Sequence, residues 1–190
     1  MGEDKARLEL AGRTLLDRAL EALRGLAAPI LLATGPRDRY LDLGVDRVQD
    51  APDTAGPAAG LLAAMERSPA DRYVLVACDM PRLDARLLST LVNRAQQGDL
   101  DACFFESETG REPLCAVYSS RILPALRSAQ ARGNRRVTAF LGEAGAERLR
   151  IGTLGVDELS EELRALDCAR NLNTPEDLRD ERRAWEGDSA

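Results

Sequence analysis

The chain contains no histidine. That excludes His-based catalytic triads, imidazole metal ligands and His-ligated haem. Any chemistry must use carboxylates, Lys, Arg, Ser/Thr, Cys or a metal held by oxygen. Its four cysteines, Cys78, Cys103, Cys115 and Cys168, form no CxxC, so zinc and thioredoxin-type readings fit poorly. Two lie in apolar runs and read as buried free thiols of a reducing cytoplasm. No apolar run approaches the roughly 18 residues of a membrane span, and MGEDKARLEL is charged too early for a signal peptide. Neither GxxxxGK followed by Ser or Thr nor GxGxxG occurs, so the P-loop and dinucleotide fingerprints are missing. Basic residues are outnumbered 26 to 32, which denies the chain the basic footprint of a duplex nucleic-acid binder. A small anionic substrate remains possible, because it needs only a few local positive groups.

What remains is 190 residues with 44% apolar and 31% charged content, the balance of one globular domain with a full core. Helical spacing appears over 14–23, with Thr14 as N-cap and Gly25 as stop. Further helices are expected near 58–67, 84–97, 120–131, 136–141 and 157–166, and one opening at Thr174-Pro175. Strands are expected at 29–33, 45–49, 73–78, 101–106, 113–118 and 149–152. The run YVLVAC at 73–78 has the continuous apolarity of a strand covered on both faces. Alternation with short connections predicts a three-layer α/β fold: a mostly parallel, Rossmann-like sheet with helices on both faces and one antiparallel hairpin. The tail 186–190 is expected to fray.

In an open α/β sheet, ligands sit beyond the carboxyl ends of the strands. Asp79 follows YVLVAC there. It either holds a hard cation such as Mg²⁺ or caps the next turn. Asp50 follows the strand at 45–49, and Gly56 to Gly60 (GPAAG) opens a helix. Those glycines either let backbone N–H groups approach a ligand or serve close helix-to-sheet packing. Lys5 lies in a polar segment read as preceding any structure, as a phosphate-binding charge or a solvated surface lysine.

Taken together, these pieces resemble the molybdenum cofactor guanylyltransferase family. Met1-Gly2-Glu3-Asp4-Lys5-Ala6 is similar to the RMGxDKA end of its signature LAGGxSxRMGxDKA, and Gly12 to Leu16 to its GxPLL. Gly56 to Gly60 resembles GPLAG, and Cys78-Asp79-Met80-Pro81 matches CDMP. Gly133 to Arg136 resembles GERR, and Asn171 to Leu178 matches NxNTPEDL. The resemblance implies transfer of GMP from GTP to the molybdopterin-bound cofactor, in the cytoplasm, with Mg²⁺ on Asp79. It places Lys5 on the nucleotide phosphates and Asp50 in the guanine pocket. Asn171 and Asn173 fall near the pterin, with Arg135 and Arg136 meeting the molybdopterin phosphate. A molybdoenzyme or cofactor-assembly protein is the implied partner.

Three departures accompany the resemblance. The strand and glycine-rich loop of LAGGxSxR, which wrap the triphosphate, have no counterpart, so the natural protein is expected to start upstream of Met1. A central strand contributes on the order of 10 kcal/mol of apolar burial. Ala33-Thr34-Gly35 replaces Ser-Ala-Asn, weakening the expectation of guanine selectivity. Residues 153–166 are longer and more helical than the pattern and would reshape the acceptor side. Two other readings follow: a cytidylyl or sugar-phosphate nucleotidyltransferase, and a catalytically silent binding subunit.

Overall fold

The computed structural model describes residues 4–51, 54–168 and 170–187. Met1, Gly2 and Glu3 of the opening motif lie outside them. The segment at Lys5 is structured after all: Lys5–Arg7 is a 3-10 turn, whose first amides are partly satisfied by the Asp4 carboxylate accepting from the Ala6 N–H. A small antiparallel hairpin follows, β1 (Glu9–Leu10) with β2 (Arg13–Thr14). It runs into α1 (Leu15–Leu23), where Thr14 and Asp17 form a reciprocal capping box. Next come β3 (Leu31–Ala33), β4 (Asp46–Val48), α2 (Pro57–Arg67), β5 (Arg72–Val76), α3 (Ala85–Gln97), β6 (Ala102–Ser107) and β7 (Gly110–Ser119). The chain continues through α4 (Leu123–Ala131), β8 (Ile151–Gly155), α5 (Glu161–Ala165) and α6 (Pro175–Gly187).

β5, β7, β6 and β8 form one sheet in that order. β7 is antiparallel to both of its neighbours, and β6 and β8 are parallel. Hence β5, β6 and β8 share a direction. β3 and β4 form a separate parallel pair. The expected hairpin is present as β6 and β7, and both of its strands are interior to the sheet.

Alternation along β6 and β7 divides the core into two layers. Cys103, Phe105, Cys115 and Val117 face Leu87, Leu88 and Leu91 of α3 and Leu163 of α5. Ala102, Phe104, Ala116 and Tyr118 face Leu61 and Met65 of α2, Leu126 of α4 and Phe140. Tyr118 meets Phe104 and Phe140 edge-on, with ring centroids 5.9 and 6.2 Å apart. These layers are the three-layer architecture the alternation predicts.

Four expectations are corrected. Residues 73–78 were to form a strand covered on both faces, yet every residue of β5 is only half-buried. The reason is a slot along its free edge. Among the described residues no ladder joins β5 to β3. Instead an apolar cavity of about 440 Å³ lies between them, lined by Leu31, Leu32 and Ala33 of β3 and Val74, Leu75 and Val76 of β5 and reaching Asp79. A smaller adjoining cavity also takes Pro29, Ile30, Arg72 and Tyr73. The helix expected over 136–141 is a 3-10 segment, Val137–Gly142. The one over 157–166 breaks into a 3-10 turn, Val156–Glu158, and α5, whose N-cap is Ser160. Finally, α6 extends to Gly187, two residues into the tail expected to fray, while 188–190 lie outside the described residues.

Candidate active site

Lys5 and Asp79 come together at the carboxyl ends of the strands. Lys5 Nζ stands 4.0 Å from Asp79 Oδ2 and donates to the Leu172 carbonyl at 2.9 Å. The Leu172 N–H in turn donates to the Asp79 carbonyl at 2.9 Å. One backbone residue of the 170–173 segment thus ties the Lys5 side chain and the Asp79 backbone into a single unit. Both are partly exposed, 33% and 25%, which leaves their charges open to a ligand.

The Lys5 turn is held from beneath. Tyr40, itself buried, donates its hydroxyl to both Asp4 oxygens, at 2.8 and 2.7 Å. Burial, reinforced by the Asp4 carboxylate, pushes the phenol up to about 12, so it stays a donor at any physiological pH. Arg7 and Arg39 lie over its ring at 5.3 and 5.4 Å.

Asp50, Gly56, Gly60 and Asp79 line the same slot cavity. Burial raises the Asp50 carboxyl above the usual range. Gly60 is buried and faces β3: a Cβ there would lie 2.8 Å from Ala33 Cβ. Its absent side chain therefore serves close helix-to-strand packing, which also brings α2 within reach of Asp50. Gly56 is the N-cap of α2 with φ +86°, and a Cβ there would lie 3.1 Å from the Arg135 backbone. The Ala58 N–H donates to the Arg135 carbonyl at 3.4 Å. Arg135 is thereby placed at the entrance to α2. The Arg136 N–H donates to the Asn134 side chain.

Asn171 and Asn173 line a second, more polar cavity of about 520 Å³, with Ser107, Glu112, Arg164 and Arg170. Asn171 Nδ2 donates to Glu112 Oε2 at 3.1 Å. Arg135 and Arg136 are not part of its lining. Glu112, Tyr40 and the Leu172 backbone escaped the sequence reading. Glu112-Pro113 did leave a trace, as a charged residue and a proline just ahead of an apolar run.

All four cysteines are free. Burial pushes Cys78, Cys103 and Cys168 up to about 11 and Cys115 up to about 12, so none carries a thiolate for nucleophilic work. No helix among the described residues is long and apolar enough to cross a membrane.

Lys5, Asp50, Asp79 and the glycine-opened helix α2 thus lie at the carboxyl ends of strands in a three-layer α/β, Rossmann-like fold. The chain belongs to the MobA-like NTP transferase domain family, which it matches over residues 1–148. It is 31% identical, over 150 residues, to a molybdenum cofactor guanylyltransferase of Serratia proteamaculans, covering 78% of this chain and 75% of that one. It is similar in structure to molybdopterin-guanine dinucleotide biosynthesis protein A of Archaeoglobus fulgidus, at 25% identity and TM-score 0.78, covering 98% and 92% of the two chains. The 2-C-methyl-D-erythritol 4-phosphate cytidylyltransferase of Thermus thermophilus, at 18% identity and TM-score 0.70 over 97% and 95%, shares the fold.

Proposed function

We propose that this nucleotidyltransferase moves GMP from GTP onto the terminal phosphate of the molybdopterin-bound molybdenum cofactor and releases pyrophosphate. The observation that carries the reading is the Lys5–Asp79 pair, bonded through Leu172 to the segment that holds Asn171 and Asn173. One cavity is lined by Asp79 and the other by Asn171 and Asn173, the neighbours of Leu172. The slot cavity, with Asp50, Gly56 and Gly60, takes the nucleotide. The polar cavity, with Asn171 and Asn173, takes the pterin.

The residues divide the work as follows. Asp50 offers two acceptor oxygens at the slot mouth, complementary to the N1–H and N2–H₂ edge of guanine; cytosine has one such donor group. Thr34 is buried with its hydroxyl bonded to the Val48 carbonyl, so base reading falls to Asp50 and backbone groups. Lys5 supports the phosphates. The attacking oxygen belongs to an ionised phosphate and needs no general base, which suits a chain without histidine. It bonds to the α-phosphorus as the α–β anhydride bond breaks, and pyrophosphate leaves with that electron pair. Positioning and charge neutralisation supply the rate.

Asp79 is the residue to hold a divalent ion, and Mg²⁺ fits the donor set. Among the described residues no three acidic or sulfur side chains form a metal cage, while Mg²⁺ is content with one or two carboxylates plus phosphate and water. When bound, such an ion neutralises phosphate charge. Arg135, at the mouth of α2, and Arg136 are the candidates for the molybdopterin phosphate. A cytoplasmic site of action and a molybdoenzyme or cofactor-assembly protein as recipient belong to the same reading, which the free thiols support.

A pyrophosphate-release assay with molybdopterin cofactor and Mg²⁺ tests it. Release with GTP well above that with CTP is expected. A preference for CTP would favour the cytidylyl reading, and no release with any nucleotide would favour a silent binding subunit.

A further inference from the structure

Glu181, in the middle of α6, has no accessible surface, although α6 is otherwise strongly charged. Buried carboxylates persist where partners hold them. One oxygen of Glu181 accepts from Arg82 Nε at 2.5 Å and from Trp185 Nε1 at 2.9 Å; the other stands 3.7 Å from Arg170 Nη1. The two arginines are placed tellingly. Arg82 lies three residues beyond Asp79, in the turn that follows β5. Arg170 directly precedes Asn171, Leu172 and Asn173. These are the two segments that the Leu172-to-Asp79 backbone hydrogen bond joins and that Lys5 bridges.

We propose that Glu181 is a positioning residue for transfer: its buried carboxylate clamps the Asp79 turn to the Asn171–Asn173 segment through Arg82 and Arg170. Removing the charge takes the ion pair with Glu181 from each of the two arginines and loosens the join between the segments, while α2, Gly56 and Asp50, which line the base side, are untouched. The proposal rests on the guanylyl-transfer reading for its kinetic consequences, but the clamp itself is measurable without substrate.

The test compares Glu181→Gln with Trp185→Phe in the full chain. Trp185→Phe removes one hydrogen bond to the same carboxylate and leaves both ion pairs, so it reports the cost of merely loosening α6. In Glu181→Gln, half-saturating Mg²⁺ is expected to rise and kcat to fall, each about tenfold, the usual scale for losing a group that orients a metal ligand. At saturating Mg²⁺, KM for GTP should change by less than about twofold, because the base side of the site is preserved. Trp185→Phe should leave all three near wild type. Amide exchange at Leu172, without ligand, should be about tenfold faster in Glu181→Gln than in Trp185→Phe. Equal Mg²⁺ response and equal Leu172 exchange in the two variants would overturn the clamp and leave Glu181 a structural residue of α6. If the wild-type chain transfers no nucleotide, the guanylyl-transfer reading fails on its own, and the Leu172 exchange still decides the clamp.

Discussion

Tyr40 donates to both oxygens of Asp4 from a buried position, at 2.8 and 2.7 Å, and Asp4 caps the turn that carries Lys5. A core aromatic therefore sets the position of the candidate phosphate lysine. Tyr40→Phe keeps the ring against Leu16 and Leu20 but removes the hydroxyl. Loss of a hydrogen bond to a charged group costs about 1–3 kcal/mol, and the Lys5 turn loses its anchor. The expected result is a lower melting temperature together with GTP affinity reduced about tenfold, which is roughly 1.4 kcal/mol. A variant that melts lower but binds GTP as wild type would detach Tyr40 from the site.

Gly60→Ala tests the approach of α2 to β3. The new Cβ meets Ala33 Cβ at 2.8 Å, so the helix must move away from the strand. Overpacking of this kind costs about 1–3 kcal/mol, read from a denaturant midpoint. Because Asp50 Oδ1 is only 3.9 Å from the same point, GTP affinity is expected to fall as well.

The start of α6 should be acid-sensitive. Backbone hydrogen bonds from Thr174 and Asn173, then the Thr174 hydroxyl, hold the Asp177 carboxyl below its usual range. A depressed carboxylate contributes stability that is present above the unfolded value, about pH 4, and is lost as pH falls through the folded value. Asp177→Asn is therefore expected to melt lower than wild type at neutral pH and to converge with it in strong acid. A constant difference between the two across that range would exclude this role.

The slot between β3 and β5 suggests a gain-of-stability experiment. Extending the chain ahead of Met1 with an apolar strand of about six residues and a glycine-rich turn should fill it. Apolar burial of a few kcal/mol corresponds to a rise of roughly 10 °C in a chain of this size. The same extension with a proline in the middle of its strand should lose the gain, because proline removes a ladder hydrogen bond. No rise from the first extension would mean that the slot does not take a strand.

Much of this architecture was legible in the residues, for identifiable reasons. Leu16, Ala19, Leu20 and Leu23 at helical spacing, with Thr14 before them, specify α1 by local chemistry alone. The same holds for Thr174-Pro175-Glu176-Asp177 at α6. The place of Asp79 at a strand end was legible because an apolar run ended abruptly on it. The insertion of β7 between β5 and β6 was not legible, since pairing order depends on contacts distant in sequence. The half-burial of β5 was hidden for the same reason: its apolar run states what the residues prefer, not which neighbour covers them. Gly60 could be read as a packing glycine or a ligand-binding one, with packing favoured, and Ala33 opposite it supports packing. Glu181 carried no signal at all. In a helix as charged as α6, only the fold reveals which carboxylate turns inward, onto Arg82 and Arg170.

The most direct test of the central claim is calorimetric titration of this chain with GTP and Mg²⁺, beside CTP and beside Asp79→Ala. The account predicts GTP binding that requires Mg²⁺, clearly exceeds CTP binding, and disappears in Asp79→Ala while the variant remains folded. GTP binding unchanged by Asp79→Ala and independent of Mg²⁺ would contradict it.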